Sequence, residues 1–469
     1  MVFSSAVFLL LFLPAVLLAY YAVPVKARNP LLLAVSLLFY AWGEPVYIVI
    51  MLFSTVFDYC NGLLLEKLDA TGKPEKRKYI LLLSVAVNIG LLCFFKYTDF
   101  VIGTVDSLTG AGLSLLHIAL PVGISFYTFQ TLSYTIDVYR REVEAQHNIL
   151  DFGMYICMFP QLIAGPIVKY RDIQKQLHDR TLTAERACSG LFRFVTGLGK
   201  KVLLANSFGA VWDEIAACGG SQSALTALLG AGAYMLQIYF DFSGYSDMAI
   251  GIGRMLGFDF LENFDHPYES RSVTEFWRRW HISLGTWFRE YLYIPLGGNR
   301  KGLPRQVLNL LVVWALTGLW HGAGWTFVIW GLYFFVLLVI EKLFLLRRLK
   351  ALPAFVGRIY TLAAVLLSWI VFASDGLGDA LRFLGALFGR NGLYDAATWY
   401  YWRENGLWLL VGGVLSVSVV PKAVRRLLRR IRSEKLRFAV TACGAAALYA
   451  LSLIMVINSS YNPFLYFRF

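Results

Sequence analysis

Charged residues are scarce in this chain of 469 residues, and their scarcity excludes most classes of protein. Only 16% of the residues are charged, whereas 58% are hydrophobic and the mean hydropathy is +0.59. One water-soluble core could not bury so much apolar surface, so the composition excludes disordered, collagen-like and ordinary soluble proteins. A membrane-spanning helix needs about 20 apolar residues, and many stretches approach that length. The sequence therefore predicts an all-α polytopic membrane protein.

Cysteine pairs and the common catalytic motifs are missing as well. The six cysteines are scattered and form no CxxC pair, which argues against a disulfide framework or a zinc site. There is no P-loop, GxSxG, HExxH or kinase motif set, and we expect no bound metal or cofactor. No internal repeat is evident, so a solenoid or an inverted-repeat transporter gains no support.

The net charge of +13 is explained by basic residues that cluster between apolar segments. We recognise thirteen such segments, at residues 2–21, 31–42, 45–65, 79–95, 113–136, 149–168, 191–210, 224–240, 307–320, 325–340, 359–372, 407–420 and 438–457. The first lacks the basic flank of a signal peptide and is predicted to be a retained span. Placing the basic loops in the cytoplasm puts the N-terminus outside and, by parity, the tail SSYNPFLYFRF outside too.

The charge rule meets a conflict at residues 149–168. Arg140 and Arg141 precede this segment and Lys169 and Arg171 follow it, yet two cytoplasmic loops cannot be separated by one complete span. The stretch FPQLIAGPIV, with its prolines and glycine, therefore predicts a re-entrant, broken helix. Non-helical backbone at membrane depth must be buried in protein or line a wet cavity, so the conflict indicates an internal chamber. The alternative is an exception to the charge rule.

His321 is the strongest catalytic candidate among the six histidines. No charged residue lies between Arg305 and Glu341, and an ionisable side chain inside the membrane marks function by default. The helix from Arg305 would rise about 22 Å, which places His321 within a hydrocarbon core about 30 Å thick. Its imidazole would suit a general base, although a purely structural hydrogen bond between helices is the alternative. Three glycines would let a substrate approach the backbone near His321, namely Gly318, Gly322 and Gly324. Two tryptophans, Trp320 and Trp325, would stack on the substrate.

A second candidate region, residues 272–305, alternates aromatic and charged side chains. It would lie in the interface, as an amphipathic helix on the inner leaflet, or fold back into the chamber. Ser272 and Glu275 form a capping box that predicts a helix start. The candidate donor-binding residues here are Trp277, Arg278, Arg279, Trp280 and His281. Just upstream, hydroxyl and carboxyl groups that fit sugar binding, capping or ion coordination follow a span at Asp241, Ser243 and Tyr245.

Several long blocks resemble the membrane-bound O-acyltransferase (MBOAT) family, and most closely its bacterial alginate O-acetyltransferase, AlgI-like branch. They include FPQLIAGPIVKY, YFDFSGYSDMAIGIGRMLGF, SVTEFWRRWHISLGTWFREYLYIPLGGNR, GLWHGAGWTFVIWG and NPFLYFRF, and the match covers nearly the whole chain. The resemblance implies a ring of about 11 to 12 transmembrane helices plus re-entrant and amphipathic helices around a central chamber. We expect one MBOAT domain over residues 1–469, with N-terminal spans (1–112), a catalytic core (113–345) and C-terminal spans (346–469).

The resemblance also implies roles for two histidines. The near-invariant membrane histidine of the family falls on His321 in LWHGAGW. The second family marker, which is His in bacterial members and often Asn in animal ones, falls on His281 in WRRWHISL. His321 would accept the proton of an attacking hydroxyl or orient an acyl relay, and His281 would polarise the donor carbonyl or position the donor. Arg278, Arg279 and Lys301 could hold an anionic donor such as acetyl-CoA or a phosphopantetheine thioester.

The implied function is transfer of an acetyl group from a cytoplasmic donor towards an exported polysaccharide, directly or through an extracytoplasmic AlgX- or AlgJ-like partner. Membrane lipid is the other expected partner, and no nucleic acid is expected. The expected location is the bacterial inner membrane. Two alternatives remain open: D-alanyl transfer to teichoic acid, as in the related DltB branch, and a proton-coupled transporter or flippase. The lack of evident intramembrane carboxylates argues against the transporter.

Overall fold

The chain forms an assembly of helices, as the composition predicts. The computed structural model describes residues 2–163, 165–459, 461–462 and 464–468, and every regular element in this part of the chain is helical. It divides into two compact units, one made of Met1–Phe194 and Met248–Leu261 and the other of Val195–Asp247 and Glu262–Phe469.

The first unit contains eight complete α-helices, some of them joined by short 3-10 turns. They are α1 (Leu13–Ala22), α2 (Arg28–Ala41), α3 (Ile48–Ala70), α4 (Arg77–Thr109), α5 (Ile124–Arg140), α6 (Ile149–Cys157), α7 (Phe159–Leu162) and α8 (Tyr170–Ile173). The boundary between the units falls within α9 (Ala184–Gly199) and within α11 (Ala224–Met255).

The second unit holds the remaining α-helices. They are α10 (Asn206–Ala216), α12 (Val273–Arg279), α13 (Ile282–Phe288), α14 (Gly302–His321), α15 (Trp325–Ile340), α16 (Leu346–Ala351), α17 (Ala354–Ala373), α18 (Leu377–Leu387), α19 (Ala396–Leu415), α20 (Val419–Arg430) and α21 (Glu434–Asn458). Four short π-helical segments also occur in the described chain, at Phe8–Phe12, Lys200–Ala205, Arg289–Tyr293 and Glu341–Leu345.

Six helices of the described chain are long and apolar enough to cross a membrane, and a seventh is added if α19 and α20 count as one bent span. The six are Ile48–Ala70, Pro74–Thr109, Gly302–His321, Trp325–Ala351, Ala354–Ala373 and Glu434–Asn458. The prediction of a polytopic all-α membrane protein is therefore confirmed. The sequence contains thirteen apolar segments, and most of those that do not form one of the six long helices fold as shorter or interrupted helices in the described chain.

Two of these interruptions have a clear local cause. Residues 113–136 become helical only at Ile124, after Pro121 and Gly123, whose φ of 79° lies in the left-handed region that favours glycine. The predicted break in residues 149–168 is present, because α6 ends at Cys157, α7 adds four residues, and the chain from 166 to 169 is not helical. Ala164 lies outside the described residues.

The expectation that the spans contain no carboxylate is wrong. Asp58 lies within α3 with 0% of its surface exposed. Its carboxylate accepts hydrogen bonds from Ser84 (2.6 Å) and Asn88 (2.6 Å) of α4, and from Asn61 (3.1 Å) and Thr135 (3.2 Å). Four donors compensate the desolvation of this group and join three helices of the first unit.

Glycines bring α14 and α15 into close contact. A β-carbon on Gly318 would lie 2.4 Å from the carbonyl oxygen of Phe327, and one on Gly331 would lie 2.3 Å from that of Trp314. Neither backbone oxygen can move away cheaply, so the two helices approach this closely only because these positions lack side chains. The packing places Trp330 of α15 beside His321 at the end of α14.

Candidate active site

His321 is the last residue of α14 and is nearly enclosed by aromatic rings. Its side chain is 6% exposed. The centroids of Trp330 and Phe372 lie 5.0 and 5.3 Å from that of the imidazole, both edge-on. The helix ends here because the next residue, Gly322, is extended with φ −167°. Of the glycines around His321, Gly318 and Gly322 serve packing, since a β-carbon on Gly322 would lie 2.1 Å from the Phe327 ring, whereas one on Gly324 would make only ordinary contacts.

His281 lies in the tight connection between α12 and α13. Its φ of 45° is in the left-handed region, which is uncommon for any residue other than glycine. Asn263 holds the following turn, because its carbonyl accepts the Ile282 N–H at 2.9 Å and its Oδ1 accepts the Ser283 N–H at 3.1 Å. A strained backbone conformation that its surroundings maintain is frequent at functional sites.

The imidazole of His281 is buried and has one hydrogen-bond partner on the ring. Its Nε2 lies 3.0 Å from the hydroxyl of Tyr466, whereas Nδ1 is buried and has no hydrogen-bond partner among the described residues. Only 2% of His281 is exposed. Burial raises the pKa of Tyr466, so the phenol stays protonated and can donate to Nε2. When Tyr466 donates to Nε2, the proton of the neutral imidazole lies on Nδ1.

Trp320 stands between the two histidines. The centroid of its indole is 6.0 Å from that of His281 and 5.0 Å from that of His321, and it meets both rings edge-on. The structure therefore brings the two histidines that the sequence singled out into one aromatic cluster, although 40 residues separate them along the chain.

A cavity of about 510 Å³ opens at His281. Its walls come from residues 277–293 and from the cavity face of α14, which includes Thr317, one helical turn before His321. Two arginines line it, Arg278 and Arg289, and the guanidinium of Arg289 also lies 3.5 Å from a carboxylate oxygen of Glu290. Trp277 also lines it, and the indole Nε1 of this residue is buried without a hydrogen-bond partner among the described residues. The chemistry of these walls suits an anionic ligand with an apolar part.

The other predicted donor-binding residues do not line this cavity. Arg279 forms ion pairs with Glu275 (2.8 Å) and Glu269 (3.9 Å), and Trp280 packs in the core against Trp369 at 5.0 Å. Trp325 is 51% exposed at the start of α15. Three predicted positions lie buried on α11, namely Asp241, Ser243 and Tyr245. Lys301 directly precedes α14 and is exposed.

The contribution of the C-terminal tail could not be predicted from the sequence. The tail packs within the second unit, where Phe464 stacks on Tyr245 at 4.9 Å and Tyr466 stacks on Phe242 at 4.4 Å. The Leu465 N–H donates to the Asp241 carboxylate at 3.0 Å. These contacts hold Tyr466 against His281. Local patterns contain no signal for them, because more than 180 residues separate the partners, although the aromatic run FLYF was visible.

The Asp241 carboxylate that accepts from the tail also belongs to a buried ion pair. Lys201, in the π-helical segment, lies 2.8 Å from the Asp241 carboxylate, and the two side chains are 3% and 1% exposed. Lys201 also donates to Asn206 at 2.9 Å. By sequence alone Lys201 cannot be distinguished from other basic residues beside apolar segments, because only the folded chain buries it.

Burial lowers the pKa of His281 to about 3, because desolvation disfavours the imidazolium. The pKa of an unfolded histidine is about 6.5, so below that pH the unfolded state binds more protons than the folded state. The titration of His281 therefore makes no contribution to the free energy of unfolding above pH 6.5. It becomes increasingly destabilising as the pH falls from 6.5 towards 3.

Acidification from pH 7.5 to pH 5 is expected to lower the free energy of unfolding by about 2 kcal/mol through His281. The His281→Gln variant cannot titrate at this position, so its melting temperature in detergent should fall less over the same interval than that of the unaltered protein. The control is a His178→Gln variant, altered at an exposed histidine. Its melting temperature should decrease over this pH interval as much as that of the unaltered protein. Equal acid sensitivity of the His281→Gln variant and the unaltered protein would contradict the buried neutral imidazole.

Comparisons with known proteins identify the family. The model of the membrane-bound O-acyltransferase family matches residues 140–377, which include both histidines. A probable alginate O-acetylase AlgI of Pseudomonas putida is 40% identical, and the alignment covers 100% of each chain. The peptidoglycan O-acetyltransferase of Helicobacter pylori is 32% identical over 100% of this chain and 98% of its own. The teichoic acid D-alanyltransferase of Bacillus subtilis is 27% identical over 53% of this chain and 65% of its own. The chain therefore belongs to the membrane-bound O-acyltransferase family and is an acyltransferase.

Proposed function

We propose that this protein carries acetyl groups from a cytoplasmic donor across the bacterial inner membrane for the O-acetylation of an exported polysaccharide, alginate or a similar exopolysaccharide. The two relatives that align with the whole chain are both named for the O-acetylation of a polymer. The observation that carries the mechanism is the placement of Trp320 between His281, at the cavity, and His321, one turn beyond Thr317 on the cavity wall.

In this proposal the cavity receives the acyl donor, acetyl-CoA or a phosphopantetheine thioester of a carrier. Arg278 and Arg289 would hold its phosphate groups, because guanidinium groups bind phosphate oxygens bidentately. The apolar walls would take the thioester arm. The acetyl carbonyl would then lie near His281, whose neutral ring carries an N–H that can donate to the carbonyl oxygen. A neutral imidazole kept from protonation by its surroundings can act as such an electrophile.

His321 would act on the acceptor. Its imidazole would accept the proton of the attacking hydroxyl as the oxygen forms a bond to the acetyl carbon. The carbon–sulfur bond would break, and the leaving thiolate would take up the proton from His321. The acceptor would be a hydroxyl of the polysaccharide or of an AlgX- or AlgJ-like partner outside the membrane. Tyr466 would keep the His281 ring in one tautomer and orientation.

The alternative enzyme, a teichoic acid D-alanyltransferase, is less well supported because the relative with that name aligns with a much smaller part of the chain. The transporter hypothesis is favoured by one observation, the buried carboxylate of Asp58, because a proton-coupled transporter needs such a group. However, that carboxylate already accepts hydrogen bonds from four side chains, which favours a structural role.

Reconstitution of the purified protein in vesicles tests the function directly. Vesicles receive acetyl-labelled acetyl-CoA on one side and an oligosaccharide acceptor, with or without the exported partner, on the other. We expect labelled acetyl esters on the acceptor or the partner only when the donor faces the basic side of the protein. Transfer from a D-alanyl carrier instead would favour the teichoic acid activity. Proton-coupled uptake without acyl transfer would overturn the proposal.

A further inference from the structure

The helix α20 is strongly amphipathic, and most of its surface is left uncovered by the described chain. None of its twelve residues is buried. Its apolar side chains are exposed, with 62% of Val419, 49% of Val424 and 63% of Leu427 accessible. The opposite face is basic, and its residues are Lys422, Arg425, Arg426, Arg429 and Arg430.

The neighbouring helices place α20 at one face of the membrane. It lies between α19, which is apolar enough for a span only when counted together with α20, and α21, one of the six helices that can span a membrane alone. The bend from α19 to α20 is 67°. A helix with a basic face that turns by 67° from the preceding helix and leads into a span fits the membrane surface, where it would lie closer to the plane of the membrane than to its normal. Its apolar face then meets the acyl chains and its basic face the headgroups.

Of the basic face, only Lys422 at the start of α20 interacts with a carboxylate, that of Glu269, in the part of the chain that the structure describes. Among the described residues, no carboxylate forms an ion pair with Arg426, Arg429 or Arg430. An anionic leaflet would supply the missing negative charge, and each basic residue near such a surface strengthens binding about fivefold. The charge therefore complements lipid phosphate at the place where the apolar face enters the membrane.

The start of α20 is hydrogen-bonded to the segment that carries His281. Both the N–H and the hydroxyl of Ser418 donate to one Glu269 oxygen at 2.7 Å, and Lys422 donates to the same hydroxyl at 2.7 Å. The other oxygen of Glu269 lies 3.9 Å from Arg279, two residues before His281. A shift at the start of α20 would therefore reach the His281 turn through two side chains.

We propose that α20 is a binding surface for anionic lipid. Binding of α20 to the leaflet, transmitted through Ser418 and Glu269, stabilises the turn that carries His281. Binding to an anionic leaflet would fix the start of α20. The fixed Ser418 would then hold Glu269 and Arg279 in place. The coupling to catalysis rests on the proposed function, whereas lipid binding and the response of the turn do not.

Hydrogen exchange of the full-length protein in nanodiscs tests both steps without an activity assay. The nanodiscs contain phosphatidylcholine alone or with phosphatidylglycerol. We expect the amides of residues 416–431 and 263–283 to exchange several-fold more slowly with phosphatidylglycerol. Equal exchange of residues 416–431 in the two lipid mixtures would overturn the proposal.

Two substitutions separate the steps. Arg426→Gln with Arg429→Gln should weaken binding to the anionic leaflet roughly 25-fold, since two basic residues are removed, and should therefore abolish most of the slowing of exchange. The control Lys73→Gln with Lys76→Gln, which removes equal charge from another exposed basic loop, should leave the effect intact. Glu269→Ala removes the carboxylate that accepts both Ser418 bonds. It should keep the effect on residues 419–430 and remove it from residues 263–283. If the turn still responds to lipid in the Glu269→Ala variant, the coupling is wrong. If acetyl transfer is absent from every sample while these exchange changes occur, the proposed function fails and the lipid surface stands.

Discussion

The His321→Ala variant is expected to transfer acetyl groups about 10²- to 10⁴-fold more slowly than the unaltered protein, which is the usual contribution of a general base. The variant should remain in the membrane at normal abundance. Only one side chain at the end of α14 is shortened, and the close approach of Gly318 to Phe327 is kept. The measurement is the acetyl content of the exported polymer, normalised to the amount of protein in the membrane.

Two further variants separate chemistry from packing at this position. His321→Gln keeps a polar side chain of similar size between Trp330 and Phe372 but lacks a basic ring nitrogen, so it should be as inactive as the alanine variant. His178→Ala, at an exposed histidine, should acetylate normally. Acetylation by His321→Ala within about twofold of normal at equal abundance would remove His321 from the mechanism. Recovery in His321→Gln would assign it a packing role.

Replacing Lys201 by methionine is expected to destabilise the protein by about 3 to 5 kcal/mol, because Asp241 would keep a buried charge without its cation. The variant should be scarce in the membrane, and in detergent it should melt well below the unaltered protein. The carboxylate also accepts the Leu465 N–H, so its disturbance should release the tail that holds Tyr466 against His281.

A double variant provides the control for this effect. In Lys201→Met with Asp241→Asn the buried charge is gone, while the amide oxygen can still accept from Leu465, so most of the stability should return. Arg186→Met breaks a more exposed pair with Asp259, and it should change stability by about 1 kcal/mol or less. If Lys201→Met melts like Arg186→Met, the buried pair does not support the fold as described.

The parts of the site that could be predicted are those that local sequence displays. His321 was found because one imidazole interrupts a long uncharged stretch, and an ionisable group is conspicuous against such a background. Trp320 follows from its place beside His321. The cavity residues Trp277 and Arg278 belong to the same short block as His281, so one helix and one turn were enough to place them together.

The parts that could not be predicted depend on contacts between distant segments. Arg279 and Arg278 are adjacent and equivalent by composition, yet the first faces Glu275 and Glu269 and the second faces the cavity. Tyr466 reaches His281 only because the tail is held on α11. Asp58 is visible within the apolar segment 45–65, but its four hydrogen bonds are not, because three of the donors lie on other helices.

The left-handed backbone at His281 restricts which amino acids evolution can place there. Positive φ excludes β-branched and most bulky side chains, while asparagine and histidine adopt it several-fold more readily than most other residues. Both also present an N–H beyond the β-carbon, and their codons differ by a single base. An exchange of His281 for Asn would thus follow a path that the main chain leaves open. The conformation of the backbone thus limits which residue types can occupy position 281, whatever their catalytic role.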